Sequence, residues 1–134
     1  MGAKLKKLQK TLANREMVTI GTSLKSVLTK PLPIITSYTL TKNIDILNKE
    51  LKAFDKERNK LIDKYGKRDD DNARVKDKKG GVIMAEPESF TKDLNELLDI
   101  ENTLEVYVIN FDDLGQTDFT PQELMALKFM ITDF

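Results

Sequence analysis

Apolar side chains recur along the middle of the chain with a helical period. Leu40, Ile44, Leu47, Leu51, Phe54, Arg58, Leu61 and Tyr65 follow one another at steps of four and three. This is an a/d seam with one charged interruption at Arg58, and it predicts a long central helix between Ile34 and Gly66. Thr36 or Ser37 is the expected cap, and Gly66 the expected left-handed stop. The opposite face carries Asp45, Lys49, Lys52, Asp55, Lys56, Lys60 and Asp63, a solvated face. The seam suits either an internal core or a homodimer through the 40–65 helix.

Upstream, Met17, Ile20, Leu24, Val27 and Leu28 share one helical face, and Asn14 ahead of Arg15 and Glu16 reads as the N-cap. Lys30-Pro31-Leu32-Pro33 ends that helix, because each proline removes a donor and drives its predecessor out of the α region. A connector this short predicts an N-terminal αα-hairpin with the long helix. Residues 1–13 place Leu5, Leu8 and Leu12 among four lysines. They are expected as a basic, loosely held or docked amphipathic extension ahead of a single domain over residues 14–134.

Downstream, Arg74-Val75-Lys76 and Val82-Ile83-Met84 flank Lys78-Lys79-Gly80-Gly81, a β-hairpin pattern. Pro87 opens a helix with Phe90, Leu94, Leu97 and Leu98 as its stripe. Leu104, Val106 and Val108 alternate with Glu105 and Tyr107, so this segment reads as a strand pairing with the hairpin. Thr120-Pro121-Gln122-Glu123 carries an N-cap, an N1 proline and a capping box. Leu124, Leu127, Ile131 and Phe134 are then expected on one buried helical face, with the terminal Phe134 docked. No internal repeat is expected. The predicted fold is α+β: the αα-hairpin with its long helix, a small antiparallel sheet of the hairpin plus one strand, and two further short helices.

The 134 residues contain neither cysteine nor histidine. This excludes disulfides, thiol catalysis and a structural zinc site, and it removes the commonest general base. No apolar run approaches the ~20 residues of a spanning helix, and no signal-peptide core follows Lys10, so no membrane association or secretion is expected. The formal charge is zero but polarised. Residues 1–30 hold seven Lys/Arg against one Glu, whereas residues 80–134 hold two against twelve acidic residues. The two poles either neutralise each other or meet charged partners. The candidate basic surface is Lys4, Lys6, Lys7, Lys10 and Arg15. The candidate partner surface is Glu96, Asp99, Glu101, Asp112, Asp113 and Asp118.

Two stretches look like metal sites and fail. Asp69-Asp70-Asp71-Asn72 opens like a calcium loop, but Arg74 and Gly80 stand where glycine and glutamate are required. Asp112 and Asp113 are adjacent, and on an extended chain they point to opposite faces. No catalytic residue, metal or cofactor is expected.

Leu28-Thr29-Lys30-Pro31-Leu32-Pro33-Ile34, Tyr38, Asn43 and Leu61-Ile62-Asp63-Lys64-Tyr65-Gly66-Lys67 form a recognisable series. It continues through Asp69-Asp70-Asp71-Asn72, Leu94-Asn95-Glu96-Leu97-Leu98, Asp112-Asp113-Leu114, Thr120-Pro121-Gln122-Glu123-Leu124 and Phe129-Met130-Ile131. Over residues 14–134 the chain resembles a family of small proteins encoded by tailed bacteriophages and prophages of Gram-positive bacteria. The resemblance implies a phage accessory or assembly protein, in the host bacterial cytoplasm or on the virion, and supplies no catalytic residues. The expected function is a non-enzymatic protein–protein interaction module acting on a host or phage protein, one form being an inhibitor of a host defence protein. The alternatives are a structural or assembly component of the particle, in an oligomeric form, and a nucleic-acid-binding accessory protein. The lack of aromatic residues in the basic segment weakens the last.

Overall fold

The structure is a computed structural model and describes residues 5–132. Lys4 and Phe134, named above, lie outside the described residues. The elements are β1 (Lys7–Ala13), α1 (Asn14–Val27), α2 (Ile34–Tyr65), α3 (Pro87–Leu98), β2 (Glu101–Tyr107), β3 (Ile109–Asn110), α4 (Pro121–Leu127) and β4 (Ile131–Thr132). Short 3-10 turns cover Phe111–Leu114 and Lys128–Met130. Helix and strand are mixed, as expected. The chain divides into two units, one formed by residues 1–51 and 101–134, the other by residues 52–100.

The first unit is built on a ladder that the sequence conceals. Residues 7–13 form a strand, antiparallel to β2, from Lys7 opposite Tyr107 to Ala13 opposite Glu101. The helical reading of the basic extension is thereby corrected. Leu8 and Leu12 are four apart, which is two strand periods as well as about one helical turn, so their spacing fits both. The expected pairing of β2 with the 74–84 hairpin is corrected too, since β1 takes that place. Alternation decides which side chains enter the core. Leu12, Leu104 and Val106 are buried, whereas Gln9, Thr11, Thr103 and Glu105 are exposed.

Leu12, Met17, Leu24, Val27, Leu40, Leu47, Leu104, Val106, Ile109, Leu127, Met130 and Ile131 belong to one core cluster. Leu40 and Leu47 are only 1% exposed. The N-terminal half of the seam is therefore used within the chain and does not face outward for a homodimer. Arg58, its charged interruption, is exposed.

Several ends differ from the expected ones. Asn14 is the first residue of α1 and not its cap. It is buried, and its Oδ1 accepts from Asn102 Nδ2 at 2.9 Å. Ala13 stands at the cap and has no side-chain acceptor, but its N–H donates to Glu16 Oε1 at 3.1 Å, half of a capping box. Helix α2 starts at Ile34, and the Pro33 carbonyl accepts from Ser37 N at 2.9 Å. Thr36 does not cap it, but donates to the Asp113 carbonyl at 2.6 Å. Helix α1 lies against α4, where Glu123 reaches Ser26 and Lys30, and its Met17, Leu24 and Val27 share the core with Leu40 and Leu47 of α2. Helix α4 begins with its predicted capping box but stops at Leu127. Ile131 is buried on β4, parallel to Ile109 on β3, and not on a continued helix.

Besides the shared core, an amide hydrogen-bonds α2 to the ladder. Asn43 is 0% exposed. Its Nδ2 donates to the Tyr107 carbonyl and its Oδ1 accepts from the Tyr107 N–H, both at 2.8 Å. The carboxamide satisfies one residue of β2 as a neighbouring strand would.

In the second unit Phe54 and Tyr65 are buried, and Tyr65 OH donates to Asp93 Oδ2 at 2.6 Å. Gly66 is not left-handed. A Cβ there would sit 2.5 Å from the Ile62 carbonyl oxygen, and that is why glycine is needed. Beyond it comes a repeat of eight residues that contradicts the expectation of none. Asp69 and Asp77 each open a turn whose Oδ1 accepts two backbone amides at 2.9 Å, from Asp71 and Ala73 in one turn and from Lys79 and Gly81 in the other. Each turn has one left-handed residue, Asn72 (φ 62°) and Gly80 (φ 83°), the residue types that tolerate it. The repeat closes on itself: Val75 N donates to Lys67 O, Ile83 N to Val75 O and Lys67 N to Ile83 O, at 2.9, 2.9 and 2.7 Å.

Asn43→Ala leaves the Tyr107 N–H and C=O unmet and lowers unfolding stability by about 2–3 kcal/mol. Asn43→Asp sets a carboxylate against the Tyr107 carbonyl, and it is expected to destabilise at neutral pH and to recover partly in acid. Urea unfolding at two pH values checks both; equal losses for the two variants would contradict the paired-amide geometry.

Candidate functional site

Strand β1 brings Lys7 and Lys10 onto a ladder, with Lys6 just ahead of it. Lys6 and Lys7 are exposed, Lys10 is half-buried on the core-facing side with Leu8 and Leu12, and Arg15 is exposed on the first turn of α1. On the outer face Lys7 stands beside Tyr107, its Nζ 5.4 Å from the ring centroid. Lys42 lies 5.2 Å from the same ring and 5.3 Å from the ring of Tyr38. Lys7, Tyr107, Lys42 and Tyr38 thus form a run of alternating cations and rings, each contact worth ~0.5–1 kcal/mol at an exposed site. Aromatic residues absent from the basic segment in sequence are supplied to it in space. Only the Tyr38–Lys42 spacing of four could have hinted at this, because residues 7 and 107 meet through the ladder register alone.

The first turns of α2 extend this face with apolar side chains. Ile34 is 84% exposed, Ile35 52% and Tyr38 56%. Ile35 also lines a hollow of about 180 Å³ with Leu5, Lys6, Val108 and Asp113. The start of the basic strand and the apolar start of α2 therefore border one depression.

The acidic candidates fall on several elements. Glu96 lies on α3 and Asp99 follows it, both in the second unit. Glu101 opens β2, and Asp112 and Asp113 lie in the turn after β3. Glu101 stands at the first residue of β2, whereas Asp112 and Asp113 follow the strand's other end beyond β3. Asp118 uses its carbonyl to accept from Lys30 Nζ at 2.9 Å. Its carboxylate is not among the charges gathered around Lys30.

One carboxylate is buried. Glu123, 4% exposed, receives Thr120 N at 2.9 Å on Oε1 and Ser26 Oγ at 2.7 Å on Oε2, with Lys30 Nζ 3.3 Å from Oε1. The Thr120 amide first, then the Ser26 hydroxyl and Lys30, hold its carboxyl down at about 2, favouring the ionised form. The sequence identified Glu123 as a cap but not its partners on α1. The open cleft beside it is lined by Thr22, Ser23, Thr29 and Gln122. A carboxylate so strongly acidic and so fully supplied with donors fastens α4 to α1; it is poorly suited to take a proton near neutrality. Among the described residues no group of three or more metal-ligating side chains comes together, and no helix is long and apolar enough to cross a membrane.

Comparison with family models, curated proteins and solved structures yielded no match.

Because the folded carboxyl of Glu123 titrates below its ordinary value of 4.5, its contribution to stability is fully present above that value and is lost as pH falls toward about 2. Glu123→Gln is expected to be less stable than the wild type at pH 6, with the difference shrinking as pH drops through this window. Unfolding curves of both proteins from pH 6 to pH 2 test this, and a pH-independent gap would contradict it.

Proposed function

We propose that this chain is a non-enzymatic protein-interaction module that uses the face formed by β1, the outer side of β2 and the first turns of α2. The observation that carries the reading is the exposed apolar start of α2, Ile34, Ile35 and Tyr38, set beside the cation–ring run of Lys7, Tyr107 and Lys42. Contiguous exposed apolar side chains rimmed by polar groups are characteristic of recognition surfaces, and tyrosine is prominent among residues that dominate interface energy. The resemblance to phage-encoded proteins supplies the setting: a phage product meeting a host protein, a defence protein among the candidates, in the bacterial cytoplasm. Assembly into the phage particle is the alternative within the same setting.

A second reading has one observation in its favour. Tyr38 and Tyr107 beside Lys7 and Lys42 combine rings with positive charge, the pairing that serves single-stranded nucleic acid.

The test is affinity capture by the tagged full chain from Gram-positive host lysate, with and without phage infection. The expected result is a stoichiometric protein bound by the wild type and lost in Ile35→Ser and Tyr38→Ser. Both positions are exposed, so these variants are expected to unfold within about 0.5 kcal/mol of the wild type. Capture that both variants leave intact would overturn the proposed face, and nuclease-sensitive capture would favour the second reading.

A further inference from the structure

Resting on the reading as a protein-interaction module, we propose that the outer edge of β1 accepts an extended acidic segment of the partner protein as an added β-strand. Hydrogen-bond parity shows which groups are available. Val108 N donates to the Lys6 carbonyl at 2.8 Å, so Lys6 and Val108 form a hydrogen-bonded pair, and such pairs alternate along an antiparallel ladder. In the observed register Leu8–Val106, Lys10–Leu104 and Leu12–Asn102 are then the bonded pairs. The main chain of Lys7, Gln9, Thr11 and Ala13 points away from β2. Ala13 bears this out, because its N–H goes to Glu16 and not to the ladder. On the far side of β2 the equivalent groups of Tyr107 are met by Asn43. Among the described residues the outward groups of Lys7, Gln9 and Thr11 meet no backbone partner, and all three residues are exposed.

Nothing interrupts this edge. The pairing runs through seven consecutive residues with no bulge, and β1 has no proline. Bulges and prolines are two of the devices that close off an edge strand. A third device is lysine, which acts selectively. Lys6, Lys7 and Lys10 repel a second copy of this basic strand and attract an acidic one, so the same charges choose the partner. An apolar signal accompanies them. Leu8 is 42% exposed on the core-facing side, although Val106 opposite it is 0% exposed. A strand outside β1 would cover Leu8. Lys6 and Lys10 flank Leu8 on one side of β1 and Lys7 stands on the other, so the fitting segment sets an apolar residue against Leu8 and acidic residues against the lysines on both sides. This is strand addition, in which the main chain supplies affinity and alternate side chains supply choice.

The test uses the full chain, isotopically labelled, and an acetylated peptide of about nine residues, one central Val among Glu residues, as the probe, read by amide hydrogen exchange and chemical shifts. Saturating peptide is expected to slow exchange at Gln9 and Thr11 by at least about tenfold, and affinity is expected to fall with added salt. Gln9→Pro deletes an outward N–H without touching the β1–β2 bonds and is expected to weaken binding at least about tenfold. Gln9→Thr is expected to retain binding. Should Gln9→Pro melt differently from the wild type, the double variant Lys7→Glu with Lys10→Glu serves instead, with the same expected loss.

Unchanged exchange at Gln9 and Thr11, or wild-type affinity in the edge variants, overturns the proposal. A homodimer that Gln9→Pro dissolves also overturns it, assigning the edge to a second copy. So does a single-stranded oligonucleotide that displaces the peptide while shifting Tyr38 and Tyr107 alone. A lysate protein that Gln9→Pro still captures and Tyr38→Ser does not refutes the edge while leaving the interaction module standing. Edge protection by the peptide, with no lysate protein captured by the wild type, supports the edge chemistry and counts against the broader reading.

Discussion

The buried amide of Asn43 is the contact on which the first unit depends. A two-stranded ribbon is marginal by itself, and β1–β2 becomes a stable element by facing a core and by having one edge completed. Asn43 does the second job from a helix, meeting both main-chain groups of Tyr107 at 2.8 Å while wholly buried. One amide thus fixes the axial position of α2 against the ladder. Leu40 and Leu47, one turn to either side on the same helix, are placed in the core by that choice. The asymmetry of the ribbon follows directly: at Tyr107 the β2 edge is satisfied from within, whereas among the described residues the outward groups of Lys7, Gln9 and Thr11 on β1 meet no backbone partner.

What could be read from the residues, and what could not, follows from how local each signal is. The α4 cap was fully specified by four adjacent residues, Thr120 to Glu123, and it formed as expected. The seam of α2 was legible because its period runs through eight positions. Strand β1 was not, since Leu8 and Leu12 satisfy two periods at once and only pairing with β2, about ninety residues away, separates them. Helix α4 was read too long because Ile131 falls on the helical period, although its burial arises from parallel pairing with Ile109. Asn14 shows the same limit: a residue type suited to capping is drawn instead into a part-buried bond with Asn102.

The candidate surfaces divided along similar lines. Of the basic set, Lys7 and Lys10 lie on β1, with Lys6 just ahead of it and Arg15 on the first turn of α1. The acidic set was a matter of composition, and its members stand on separate elements. The most informative neighbours of the basic strand, Tyr107, Lys42 and Tyr38, were invisible to any local pattern, since a ladder register and a helix face must both be known before they meet. Glu123 combines the two cases, being legible as a cap yet silent about Ser26 and Lys30.

The eight-residue repeat in the second unit separates support from display. In each turn the framework comes from one aspartate, two backbone amides and one left-handed residue. The side chains of Asp70 and Asp71 in the first turn, and of Lys78 and Lys79 in the second, take no part in it. These two pairs of charges, acidic in the first turn and basic in the second, can therefore drift, invert or be replaced by recognition residues without disturbing the closed ring of Lys67, Val75 and Ile83. In evolutionary terms these tips are the chain's most freely editable text, and in engineering terms two ready positions for grafting a short loop.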